Sequence, residues 1–207
     1  MTDLSSLAPS GLPSEAFWGL LMFAFASSIT PGPNNMIVAA SGANFGFRRT
    51  IPNMVGIEIG FGTMCLLMGM GAGAFVTAFP EVERALRYIA IAYLLYLSWR
   101  IATAGRSGAT EKGKPLTVTQ AALFQLVNPK AWAMALTASA AFLFPGLGPL
   151  GSGLLIAGTF VAIGIFTVSL WTGFGVAIGR LLKSDRALRI FNVSLGLLTA
   201  ASAAMMI

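Results

Sequence analysis

Polar positions along this chain are sparse and clustered, and they divide it into long apolar segments. A helix needs about 20 mostly apolar residues to cross a bilayer once. Six segments fit that pattern: residues 16–43, 51–79, 85–104, 116–144, 152–179 and 187–207. Residues 16–47 carry no charge over 32 positions, and residues 131–179 carry none over 49, enough for two crossings. The third segment is the weakest. Its charge-free centre, residues 88–99, has 12 positions, and Arg87 and Arg100 complete it by turning their charged heads outward. Between the fourth and fifth segments, Pro145-Gly146-Leu147-Gly148-Pro149 has the chemistry of a tight turn. The pattern predicts an all-α membrane protein of six transmembrane helices.

Two of these segments are broken by proline. The first reads Thr30-Pro31-Gly32-Pro33-Asn34-Asn35 and the second Asn128-Pro129-Lys130-Ala131. Pro31 and Pro129 stand 98 residues apart in a chain of 207. Proline lacks a backbone donor and clashes with the preceding helical turn. Within a membrane, the carbonyls it frees must find partners in protein or in a water-lined cavity. Interruptions at corresponding positions of two halves point to the binding site of a transporter. The polar stretch after the third segment divides the chain into residues 1–104 as one three-helix half, 105–115 as a linker and 116–207 as the second half, with Thr30-Pro31 loosely matching Asn128-Pro129. An odd number of spans per half turns the second upside down, so the expectation is two inverted three-helix repeats with helices 1 and 4 broken.

Charge orients this arrangement. Three loops on one side hold Arg48 and Arg49; Arg100, Arg106, Lys112 and Lys114; and Arg180, Lys183, Arg186 and Arg189, ten of the 13 basic residues. On the other side Arg84 and Arg87 are offset by Glu81 and Glu83. The excess of Lys and Arg places the ten-charge side in the cytoplasm and both termini outside it. The net charge of +6 is thereby an orientation signal and not a nucleic-acid footprint. Residues 1–14 contain Asp3 and no Lys or Arg, unlike a cleaved signal peptide, and are expected to lead irregularly into the first span.

The chain has no histidine and one cysteine, Cys65, which excludes an internal disulfide and Ser-His or Cys-His catalysis. It also argues against zinc and haem sites, so no metal or cofactor is expected. Of the candidate binding residues, Pro33 opens a half-helix whose unpaired N–H groups and positive dipole end attract a carboxylate. Carbonyls ahead of Pro31 are free to accept from an ammonium, and Asn34 and Asn35 add donors and acceptors. Lys130 lies about 20 Å into its segment at about 1.5 Å per residue. A charge at that depth is costly and faces a bundle interior or a cavity unless it snorkels. Glu58, the only acid deep in a span, reaches a similar depth. The two are expected either to pair or to serve coupling, with Glu58 as a proton carrier. Spacings such as Gly56/Gly60, Gly69/Gly73 and Gly175/Gly179 read as packing seams.

The residues 30–35 signature, Gly46-Phe47-Arg48-Arg49, a glycine-rich second segment and Asn128-Pro129-Lys130-Ala131 occur in the order and spacing of a known family. Over nearly its whole length the chain resembles the LysE/RhtB family of bacterial amino-acid exporters. That resemblance implies a non-enzymatic, inner-membrane antiporter that exports a small amino acid, such as threonine, homoserine, leucine, lysine or arginine, at the expense of the proton gradient. It also implies that Thr30, Pro31, Gly32, Pro33, Asn34, Asn35, Asn128, Pro129 and Lys130 bind substrate. Glu58 departs from the family pattern, in which that stretch is small and apolar in many members. Expected partners are the amino acid, protons and the bilayer, with no nucleic acid; a homo-oligomer stays open. The alternatives are a channel-like or stress-protection membrane protein without coupled transport, and a membrane-embedded enzyme or redox carrier, which the absence of histidine disfavours.

Overall fold

The structure is a computed structural model and describes residues 14–72, 80–104, 114–142 and 144–204. Among the described residues it is all helix: α1 (Ser14–Ile29), α2 (Pro33–Phe45), α3 (Phe47–Gly69), α4 (Pro80–Ala102), α5 (Val118–Phe124), α6 (Pro129–Ala141), α7 (Gly148–Leu181) and α8 (Asp185–Ala204). Short 3-10 turns occupy Gln125–Val127 and Pro145–Leu147. The second of these lies in the Pro/Gly segment expected to turn the chain. Residues 73–79 and most of the linker, residues 105–113, lie outside the described residues, as does Gly73 of one expected seam.

The first and fourth apolar segments are each split at proline. Pro33 and Pro129 both occupy the first turn of the helix that follows the break. Proline suits that place, because a helix start leaves its N–H unpaired anyway. As helix starts, Gly32-Pro33 and Asn128-Pro129 are alike, 96 residues apart, whereas Pro31 lies ahead of its helix. Among the described residues, α3 and α7, with mean hydropathies of 1.4 and 2.2, are the helices long and apolar enough to cross a membrane unaided. The split segments contribute pieces of 16, 13, 7 and 13 residues, none of which spans alone.

Close backbone approach holds the long helices together. Gly42 of α2 meets the Thr172 carbonyl of α7, and Gly175 of α7 meets the Ala39 carbonyl of α2, at distances that leave no room for a Cβ. Gly56 and Gly60 of α3 do the same against the Val118 and Ala122 carbonyls of α5. These seams are the small-residue contacts that pack helices in lipid, where apolar side chains gain nothing by leaving the tails. Gly46, with φ of +82° and ψ of 168°, turns the chain between α2 and α3 in a conformation open only to glycine. α4 packs against α8, and α1 packs against α6 and α7. Two apolar clusters result. One contains Leu20, Phe61, Cys65, Ala135 and Phe160; the other contains Val38, Ile57, Leu94, Leu97 and Phe124.

Buried amides tie the elements across these clusters. Asn44 of α2 and Asn192 of α8 exchange hydrogen bonds of 2.9 and 3.0 Å, and Asn192 Nδ2 also donates to the Ala104 carbonyl at 2.9 Å. Both are buried, and reciprocal pairing satisfies each amide where water is absent.

Candidate functional site

The two breaks meet. Lys130, on the first turn of α6, reaches across to the first break, where its ammonium donates to the Thr30 carbonyl at 2.7 Å, the Thr30 hydroxyl at 2.8 Å and the Pro31 carbonyl at 3.3 Å. Three donors meet three acceptors, the full capacity of an ammonium. Gly32 makes the crossing possible: a Cβ there would stand 2.6 Å from Lys130 Cδ.

Every carbonyl freed at the first break has a partner. Asn35 Nδ2 donates to the Ser28 carbonyl at 2.9 Å and to the Thr30 carbonyl at 2.8 Å. The Trp171 indole of α7 donates to the Ile29 carbonyl at 3.1 Å, and Lys130 takes Thr30 and Pro31. The second break is closed similarly, with the Trp132 indole donating to the Leu126 carbonyl at 2.8 Å. Proline thus leaves no orphan acceptor among residues 28–31, which is what a low-dielectric setting demands.

The helix starts differ from one another. α6 is capped, since the Asn128 side-chain oxygen accepts from the Lys130 N–H at 3.2 Å. α2 has no side-chain cap. Asn34 does not cap it: the Asn34 and Gln125 amides exchange bonds of 2.9 and 3.0 Å. The first-turn N–H groups of α2 therefore remain as donors, beside the positive end of the helix dipole.

Glu58 lies on the same cavity as Lys130, together with Ser27, Asn34, Asn128 and Thr167. It is buried, and its Oε2 has no hydrogen-bond partner. The carboxylate rests against Gly164 of α7, where a Cβ would stand 2.6 Å from Oε1. The direct Glu58–Lys130 ion pair expected from their matched depths is absent, because the lysine is already saturated by the first break. Both residues line one cavity, but the faces their side chains occupy follow from packing, which rise per residue does not give. The cavity measures about 40 Å³. That holds a water or two and no amino acid, against roughly 300–1,000 Å³ for small-molecule sites.

The sequence-predicted residues thus converge, but not in one role. Lys130, Thr30 and Gly32 form the crossing, Asn35 and Asn128 satisfy backbone, and Asn34 is committed to Gln125. Gln125, Trp171 and Gly164 were not singled out from sequence. A signal existed for Gln125, a fully buried amide within an apolar run. None existed for Trp171, whose partner lies 142 positions away.

Among the described residues, an all-helical bundle brings two broken helices together at a half-buried lysine beside a buried carboxyl, an arrangement that suits a translocator. The family model for the LysE type translocator matches residues 25–207, and the chain belongs to that family of membrane proteins. The chain is 27% identical to the cysteine/O-acetylserine efflux protein of Escherichia coli (strain K12) over 184 residues, 89% of this chain and 92% of that one. It is 30% identical to the cysteine/O-acetylserine efflux proteins of Salmonella typhimurium (strain LT2) and Salmonella choleraesuis (strain SC-B67) over 131 residues, 63% of this chain and 66% of each of theirs. No solved structure matches.

Proposed function

We propose that this protein exports a small neutral amino acid of the cysteine or O-acetylserine class across the bacterial inner membrane, by proton-coupled alternating access. The observation that carries this reading is the cavity where Lys130, the uncapped start of α2 and Glu58 face one another. A zwitterion is the ligand that such a site complements. Its carboxylate suits the Lys130 ammonium and the α2 N–H groups. Its ammonium suits the Glu58 carboxylate and the carbonyls of the first break. Efflux proteins of cysteine and O-acetylserine among the relatives support that substrate class.

In this reading the six apolar segments are six spans in two inverted halves, with α1–α2 and α5–α6 as the broken ones. The basic end is cytoplasmic and both termini lie outside. The small cavity is an occluded, unloaded state in which Lys130 occupies the carbonyls that a substrate ammonium takes. Loading draws Lys130 away from Thr30 towards the incoming carboxylate. Glu58, with no cation beside it, exchanges a proton with the cavity as substrate leaves.

The test is efflux from preloaded cells and reconstituted vesicles across a panel of amino acids, with and without an imposed proton gradient. Saturable efflux of cysteine and O-acetylserine that responds to the gradient is expected. Non-saturating flux with no amino-acid selectivity overturns the carrier reading in favour of a channel.

A further inference from the structure

A second, larger cavity of about 720 Å³ opens at the basic end of the bundle, among α2, α3, α4 and the chain just before α5. Its size falls within the range of small-molecule sites, roughly 300–1,000 Å³. One feature at its wall is unexplained by packing. Asn53 of α3 is 1% exposed, yet neither its amide nitrogen nor its amide oxygen has a hydrogen-bond partner. The other buried amides described above, at Asn35, Asn44, Gln125, Asn128 and Asn192, are all bonded. Leaving a buried amide unsatisfied costs about 1–3 kcal/mol, and Asn53 stands at the wall of this cavity. Arg100 and Lys114 stand on the same cavity. Arg100 is held there by a bond to the Lys114 carbonyl at 2.9 Å and by its position over the Tyr96 ring, 5.9 Å from the centroid.

We propose that this cavity is a loading site for the amino acid, which binds there before it reaches the cavity between the breaks. The chemistry fits a zwitterion. The Asn53 oxygen accepts from an ammonium while its nitrogen donates to a carboxylate, and Arg100 and Lys114 draw the carboxylate in from the basic face. The two cavities follow one another along the same pair of helices. Asn53 and Glu58 are five residues apart on α3, about 7.5 Å along the axis. Ile57 lines the inner cavity and Ile37 the outer, and both are buried in one apolar cluster. That apolar layer is the barrier that a substrate crosses between the two sites.

This inference rests on the export reading, and inside-out membrane vesicles separate the two. Uptake of radiolabelled cysteine under reducing conditions is measured against its concentration on the basic face. Counterflow in right-side-out vesicles measures affinity from the opposite face. For Asn53→Leu, the half-saturating concentration from the basic face is expected to rise about tenfold, the weight of one good hydrogen bond to a charged group, while the value from the opposite face holds. Arg100→Gln with Lys114→Gln is expected to raise it several-fold and to weaken its dependence on salt. This second variant alters the rim alone and serves if Asn53→Leu does not fold. Unchanged concentration dependence in both variants means that water alone meets Asn53, and overturns the site. Equal shifts from both faces assign Asn53 to the inner site and also overturn it. A rate that follows the acidic-lipid content of the vesicles and not the variants assigns the cavity to a lipid headgroup instead. Wild-type vesicles with no saturable uptake overturn the export reading, and the loading site with it.

Discussion

Gly32→Ala is the sharpest probe of the crossing between the two breaks. Gly32 has φ of −176° and ψ of 175°, an extended conformation open to any residue, so alanine introduces no backbone strain. What it introduces is one methyl group in the path of Lys130. That carbon would sit 2.6 Å from Lys130 Cδ and 3.1 Å from Nζ. Ordinary contact between carbons is about 3.5–4.0 Å, so the lysine stem must move by roughly an ångström. Its bonds to Thr30, at 2.7 and 2.8 Å, do not survive such a displacement.

Hydrogen bonds to a charged group contribute about 1.5–3 kcal/mol each. The cavity admits a water or two, which replaces part of that loss. A net destabilisation of about 2–3 kcal/mol is therefore expected, visible as a lower melting temperature of the purified protein in detergent. Efflux should fall further than stability does, because the displaced ammonium is the group proposed to meet substrate. Gly175→Ala supplies the contrast. Its methyl meets the Ala39 backbone and not a flexible side chain, so α2 and α7 must separate. That variant is expected to lose folded protein from the membrane outright. If Gly32→Ala melts and exports like wild type, Lys130 is not held at the first break, and the geometry argued from it fails.

Three other outcomes bear on the same reading. Reporter fusions are expected to place both termini outside the cytoplasm and residues 105–114 within it; either terminus inside removes the inverted arrangement. Lys130→Ala should abolish efflux at normal membrane levels, and Lys130→Arg should not fully restore it, because a planar fork does not reproduce a compact ammonium on three convergent oxygens; full activity of the alanine variant returns Lys130 to a structural role. Glu58→Gln should cancel the response of efflux to an imposed proton gradient while folded yield holds, because Glu58 Oε2 has no hydrogen bond to lose; an unchanged gradient response removes Glu58 from coupling.

The breaks were legible in the sequence because proline has few places to go in an apolar segment, and the requirement to satisfy backbone then located the polar cluster. Which prolines play the same part was less legible. Thr30-Pro31 and Asn128-Pro129 look alike as dipeptides, whereas the physical equivalence is of Pro33 and Pro129 as helix starts. Pro33 reads from sequence as the opening of the second half-helix, as it is in the fold, although the dipeptide match falls at Pro31. Partners were less legible still. A sequence gives depth along a helix through the rise per residue, but azimuth depends on how neighbours pack. Asn34 and Asn35 read as a matched pair of binding groups. In the fold, one amide faces Gln125 and the other folds back on residues 28 and 30.

The same azimuth decides what Glu58 and Lys130 can do together. A direct ion pair between them would cancel both charges and leave the cavity neutral and closed, and separating its members would be costly in low dielectric. The fold instead gives the ammonium a set of oxygens that carry no formal charge, and it sets the carboxyl against Gly164 without a partner. Ion–dipole bonds are released at a smaller cost than an ion pair, and three of them can be given up in turn. A zwitterion entering between the two groups then meets an ammonium and a carboxyl that do not already satisfy one another. The carboxyl at position 58 acquires a purpose in the proposed reading. There it is the negative half of a site whose positive half is Lys130, and a substrate that carries both charges is admitted only when Lys130 leaves Thr30 and the cavity widens.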